Sequence, residues 1–104
     1  MQWEINKKFN TFRESLMTKI RRLVLDVLKP HQPNALDFAS ALAELGADYH
    51  ITLTVIEVDK KTESTMVTIE GADIHFDDIK AAIEKMGASV HSIDEVEVYG
   101  TRPT

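Results

Sequence analysis

A chain of 104 residues has room for one domain with a core that stands without staples. Its 17 acidic residues against 12 basic ones set a formal charge of −5, which gives no electrostatic reason to expect nucleic acid or an anionic membrane as partner. The absence of cysteine excludes disulfides and thiolate metal sites, and a cytoplasmic location is the default expectation. No run of about 18 apolar residues exists and no secretory h-region opens the chain, so a soluble protein is expected.

Residues 1–16 come first. Ile5, Phe9, Phe12 and Leu16 recur at helical steps, with Lys7, Lys8, Arg13 and Glu14 on other faces. This is the pattern of an amphipathic helix, either docking on a neighbour or merely extending a domain that starts at Met17. Residues 17–104 then form the single domain. Lys19 to Leu28 reads as a strand, closed by Pro30 and Pro33, which remove backbone donors. Asn34 is the expected N-cap of a helix running through Leu45, with Leu36, Ala39, Leu42 and Ala43 on its buried face and Gly46 as its stop. Tyr49 to Val58 alternates as a half-buried strand does, and the polar run Asp59-Lys60-Lys61-Thr62-Glu63 is the turn that follows. Met66 to Glu70 is the third strand. A second helix from about Phe76 to Met86 carries Ile79, Ala82, Ile83 and Met86 inward and ends at Gly87. Ser89 to Tyr99 is the last strand.

The order β-α-β-β-α-β is the split β-α-β, or ferredoxin-like, arrangement: an α+β sandwich with antiparallel sheet order 4-1-3-2 and both helices on one face. Strand parity sends Leu23, Leu25 and Val27 toward the helices and leaves Arg22, Val24, Asp26 and Leu28 on the bare face. In the last strand the same reasoning turns Val96 and Val98 toward the helices, and His91, Ile93, Glu95 and Glu97 to the bare side. Antiparallel pairing then sets Asp26 across from His91 and Ile93, with Glu95 a diagonal step away. Val24, Leu28, Ile56, Val58, Met66 and Ile93 form an apolar patch around this charge, of the kind that marks contact with another protein. Self-association is the simplest expectation. Carboxylates carried into a subunit contact need neutralising, and a bound cation would do so.

The segments IRRLVLDVLKPHQP, VTIEG-x-DI-x-FDDIK and VHSIDEV resemble those of a small archaeal family of uncharacterised proteins, domain-of-unknown-function family 211, over Lys19 to Tyr99. The resemblance implies a ferredoxin-like subunit in ring-shaped homo-oligomers, with divalent metal in some members and no established activity. Residues 1–16 fall outside it. Asp26 in LDVLKP and His91, Asp94 and Glu95 in HSIDEV are the expected metal residues, matched to the family's strings and brought near one another by the strand argument. An oxygen-rich set with at most one imidazole suits calcium, magnesium or manganese better than zinc.

Each of these residues also has a plainer use. Asp26 would equally pair with Arg22 or with a lysine of a neighbouring subunit, and His91 would serve as a hydrogen-bonded strand residue. Asp94 and Glu95 would be solvated charges that discourage unwanted strand pairing. Asp77 and Asp78, in DIHFDDI, are read as first-turn acids favoured by the helix dipole, because the segment lacks the glycine and closing glutamate of a calcium loop. The glycines are isolated, no elbow presents a serine, and the central strands lack RNA-stacking aromatics, so no enzyme or nucleic-acid function is expected. The second reading is a regulatory domain of the ACT type holding a small molecule at a shared interface, although the loop KPHQPN has no glycine for close backbone approach.

Overall fold

The structure, a computed structural model, describes residues 18–100, so the helical reading of residues 1–16 lies outside the described residues. In chain order the elements are β1 (Thr18–Pro30), α1 (Ala35–Ala43), β2 (His50–Val58), β3 (Thr62–Glu70), α2 (Phe76–Lys85) and β4 (Ser89–Gly100). The four strands form one antiparallel sheet in the order β2-β3-β1-β4, which is the expected ferredoxin-like topology. Leu23, Leu25 and Val27 of β1 and Val67 and Ile69 of β3 share one buried cluster with Phe38, Leu42, Ile79 and Ile83 of the helices, so both helices cover the same face.

Helix α1 starts where Asn34 Oδ1 accepts the backbone N–H of Asp37 at 2.8 Å, satisfying one of the donors a helix start leaves free. It ends at Ala43, two residues before the expected Leu45. Its buried pair is Phe38 and Leu42, an i, i+4 stripe, and this rotates Leu36 outward to 74% exposure. The expected inward placement of Leu36 is thereby corrected: one large aromatic ring sets the facing of so short a helix. Gly46 does not cap the helix directly. A Cβ there would stand 2.5 Å from the Tyr49 ring, whose hydroxyl accepts the His75 N–H at 2.9 Å.

Helix α2 ends in a two-bond cap. The Gly87 N–H donates to Glu84 O at 3.0 Å and the Ala88 N–H to Ile83 O at 3.1 Å, with Gly87 at φ +86°. An L side chain is strained in that left-handed region, so Gly87→Ala is expected to destabilise the domain by about 1–2 kcal/mol in urea titrations. A change smaller than a few tenths would mean that the cap is not formed in solution.

Strand β3 begins at Thr62 rather than at Met66. The polar run that reads as turn gives its last two residues, Thr62 and Glu63, to the strand, which Ser64 and Thr65 also join, leaving a tight reversal in which the Asp59 N–H donates to Thr62 O at 2.8 Å. Composition hid this because the inward polar groups are satisfied. Thr65 is buried, with its hydroxyl donating to Val27 O at 2.7 Å, and Glu63 faces cationic partners.

Two expectations about the faces of the sheet also change. Val24 is 6% exposed and not part of an open patch, since it lies on an interior strand, paired with Thr68 on one side and Glu95 on the other. Val96 pairs with Leu23 as parity requires, and Val98 pairs with Ile20 across a register slip at Arg21. Both are nonetheless about half exposed, because only the other end of edge strand β4, at Val90, packs on the core.

Candidate functional site

The bare face of the sheet carries its charge along β1. At one end Arg22 reaches across both neighbouring strands, its Nη1 2.8 Å from Glu70 Oε2 and its Nε 2.9 Å from Glu95 Oε2. Two carboxylates on one guanidinium hold its pKa above the ordinary arginine value, the hydrogen bond to Glu95 contributing most. Arg22 therefore does not pair with Asp26, which removes one of the plainer uses expected for that aspartate.

Further along β1, Asp26 lies opposite Met66 on β3 and Ser92 on β4. Strand β4 is irregular here. The register slips once between Asp26 and Val27, leaving His91 unpaired, and once between Val24 and Leu25, leaving Asp94 unpaired. Extra residues of this kind bend a strand and re-aim side chains. The consequence is that His91 Nδ1 stands 3.4 Å from Asp26 Oδ2, while Asp94 accepts the Ser92 hydroxyl at 2.7 Å. Asp26 and Asp94 line one cleft of about 350 Å³, together with Ile56, Glu57, Ser64 and Met66.

The structure thus brings Asp26, His91 and Asp94 to one locality. Glu95 sits a diagonal step from Asp26, as pairing predicts, but its carboxylate is turned to Arg22. Among the described residues, no group of three or more histidine, aspartate or glutamate side chains converges closely enough to hold a metal ion. The chain offers the cleft three acidic residues, Asp26, Glu57 and Asp94, whose oxygens fit calcium or magnesium in kind, with the His91 imidazole beside Asp26, but these fall short of the six to eight oxygens calcium takes. Asp77 and Asp78 occupy the first turn of α2, as read from the sequence.

A second charged cluster was not anticipated. Lys29 follows Leu23, Leu25 and Val27 in the inward parity of β1 and is fully buried, its ammonium 3.0 Å from Glu63 Oε1, 2.8 Å from Pro30 O and 5.9 Å from the centroid of the Phe38 ring. His31 meets the other oxygen of Glu63 through Nδ1 at 3.0 Å and the Lys60 carbonyl through Nε2 at 2.9 Å. Hydrogen bonds from His31 and then Lys29 hold the Glu63 carboxyl below the ordinary range, and the same contact with Glu63 raises His31. The signal was legible: a lysine at an inward position of a central strand needs an acid beside it.

With this geometry in view, the comparisons decide the family. The model of domain-of-unknown-function family 211, described as uncharacterized ArCR, matches residues 21–102. The chain belongs to that family. An uncharacterized protein of Methanocaldococcus jannaschii is 50% identical over 80 residues, which span 77% of this chain and 82% of that protein. The span matched to family 211 contains both Asp26 and His91. Among the described residues, no helix is long and apolar enough to cross a membrane.

Proposed function

We propose that this family 211 protein is a non-enzymatic, ring-forming homo-oligomer that takes divalent cations, calcium or magnesium, at or near its subunit contacts. The observation that carries this reading is the company Asp26 keeps. Its cleft is lined by two further acidic residues, Glu57 and Asp94, and is rimmed by Ile56, 60% exposed, and by Met66, with Leu28 and Val58 also uncovered. Apolar side chains left in water favour contact with another surface, and a second copy supplies one without a further gene product. The edge strands β2 and β4 offer unlike edges on opposite sides of the sheet, a head-to-tail arrangement that closes into a ring. A cation shared across such a contact neutralises carboxylates that would otherwise be desolvated unpaired, and donors from two copies make up what one lacks. The cytoplasmic location rests on the absence of cysteine alone.

Native mass spectrometry and thermal melting, with and without chelator, test the proposal. The expected result is an assembly that retains calcium or magnesium and melts lower in chelator, with Asp26→Asn weakening cation affinity by about tenfold or more, equivalent to about 1.4 kcal/mol. An assembly whose size and melting ignore chelator, and which retains neither ion, would remove the cation from the reading.

The size of the cleft supports a second reading, an ACT-like domain that senses a small molecule, since about 350 Å³ falls within the range of small-molecule pockets. Under that reading an amino acid or nucleotide raises thermal stability by mass action in the absence of metal.

A further inference from the structure

We propose that His31 is a pH-sensitive latch: as an imidazolium it ties the tip of the β2–β3 hairpin to the β1–α1 loop, and on losing its proton it releases that tip.

The argument rests on which atoms the ring faces. Nδ1 lies 3.0 Å from the Glu63 carboxylate and Nε2 lies 2.9 Å from the Lys60 carbonyl. Both partners are acceptors only, and a neutral imidazole carries one N–H. Whichever tautomer it adopts, the other nitrogen directs a lone pair at an oxygen. Only the doubly protonated ring satisfies both contacts, and one of them joins the loop after β1 to the turn of the hairpin.

The charges around the ring favour that state. Glu63 faces it from β3, and the backbone of Lys60 and Asp59 faces it from the turn. From β1, Lys29 presents its ammonium to the far oxygen of Glu63. Glu63 thus lies between two cations, while the ring, 39% exposed, still exchanges protons with solvent. Its pKa is raised, chiefly by the Glu63 hydrogen bond and then by the Lys60 carbonyl.

The sign follows from linkage. A raised His31 pKa contributes stability that is complete below the free value of 6.5 and is lost as pH rises through the raised value. A lowered Glu63 pKa contributes stability present above 4.5 and lost as pH falls through the lowered value. The latch is therefore closed between the lowered value of Glu63 and the raised value of His31, and it opens as pH rises through the latter. Ser64 and Met66, which help wall the Asp26 cleft, stay paired with Leu28 and Asp26 of β1, so the opening is confined to the turn at residues 59–61 and the contacts it makes with the ring. The latch holds whether or not the cleft takes a cation, because what it predicts is a backbone change.

NMR on the full chain without added metal tests it. The His31 ring is expected to titrate above 6.5, with the amides of Asp59, Lys60 and Thr62 shifting at the same midpoint. Exchange of the Asp59 amide, which donates to Thr62 O, then accelerates beyond the intrinsic base-catalysed rise by the ratio of the ring's acid constants in the open and closed forms. Glu63→Gln moves the ring's pKa down toward its ordinary value, because the largest of the contacts that raise it is lost. Should Lys29 fail to tolerate that change, His31→Gln abolishes the pH response of the three amides at an intact fold. A ring titrating at or below 6.5, or hairpin amides unchanged through its titration, overturns the latch.

Discussion

Replacing Phe38 by alanine is expected to lower the folding free energy by about 3–5 kcal/mol. The ring is fully buried and belongs to the single cluster that joins α1 to the sheet. Its loss removes apolar contact on every side and leaves a cavity that a nine-residue helix, capped at Asn34, is poorly placed to fill. Small domains have about 5–15 kcal/mol in total, so the variant spends much of its reserve and melts lower by more than about 10 °C. Urea denaturation at unchanged m measures it. Leu36→Ala, on the outer face of the same helix, is the control and should stay within about 0.5 kcal/mol. A Phe38 variant that loses less than about 1 kcal/mol would contradict the packing described here.

Lys29 is expected to behave as a core residue that happens to be charged. Its four-carbon stem lies in the interior, so Lys29→Ala should cost about 2–5 kcal/mol, the range of long apolar side chains truncated in cores. Lys29→Met keeps most of the stem and removes the charge, and should cost clearly less, since an apolar group of similar volume often replaces a buried ion partner at little loss. Glu63 retains His31 in both variants, so neither leaves that carboxylate alone. Denaturation midpoints of the two variants against the unchanged chain settle the comparison. Equal losses for alanine and methionine would assign the stability to the ion pair; no loss for alanine would place the lysine at the surface.

These outcomes bear on the functional reading as well. Lys29, Glu63 and His31 bind the hairpin tip to the body of the domain from the helix side, and the same hairpin walls the Asp26 cleft from the other. A subunit contact on the bare face would therefore be sensitive to a charge cluster that does not touch it.

Much of this architecture was legible in the chain itself, because each element is marked by chemistry that acts over a few residues. Alternation in β1 assigned Leu23, Leu25 and Val27 to the core; Asn34 and Gly87 marked a helix start and a helix stop; and the order of elements, with right-handed crossovers, left one sheet order. The neighbourhood of Asp26 and His91 followed from strand direction to within a residue. The early start of β3 was not visible, since polarity is a signal for turns only while the polar groups have no partners, and the partners of Thr65 and Glu63 come from β1, more than thirty residues away.

The sequence by itself determined the fold, the inward row of β1 and the antiparallel pairing that brings the start of β4 near Asp26, because periodicity and caps are local. Only the tertiary structure decided which charges meet. Two irregular steps in β4 turned Asp94 into the Asp26 cleft, Arg22 drew Glu95 away from it, and Glu63 came between Lys29 and His31. Ion pairs between strands depend on register to within one residue and on which side chain has the reach, and neither quantity is written in any short stretch of the chain.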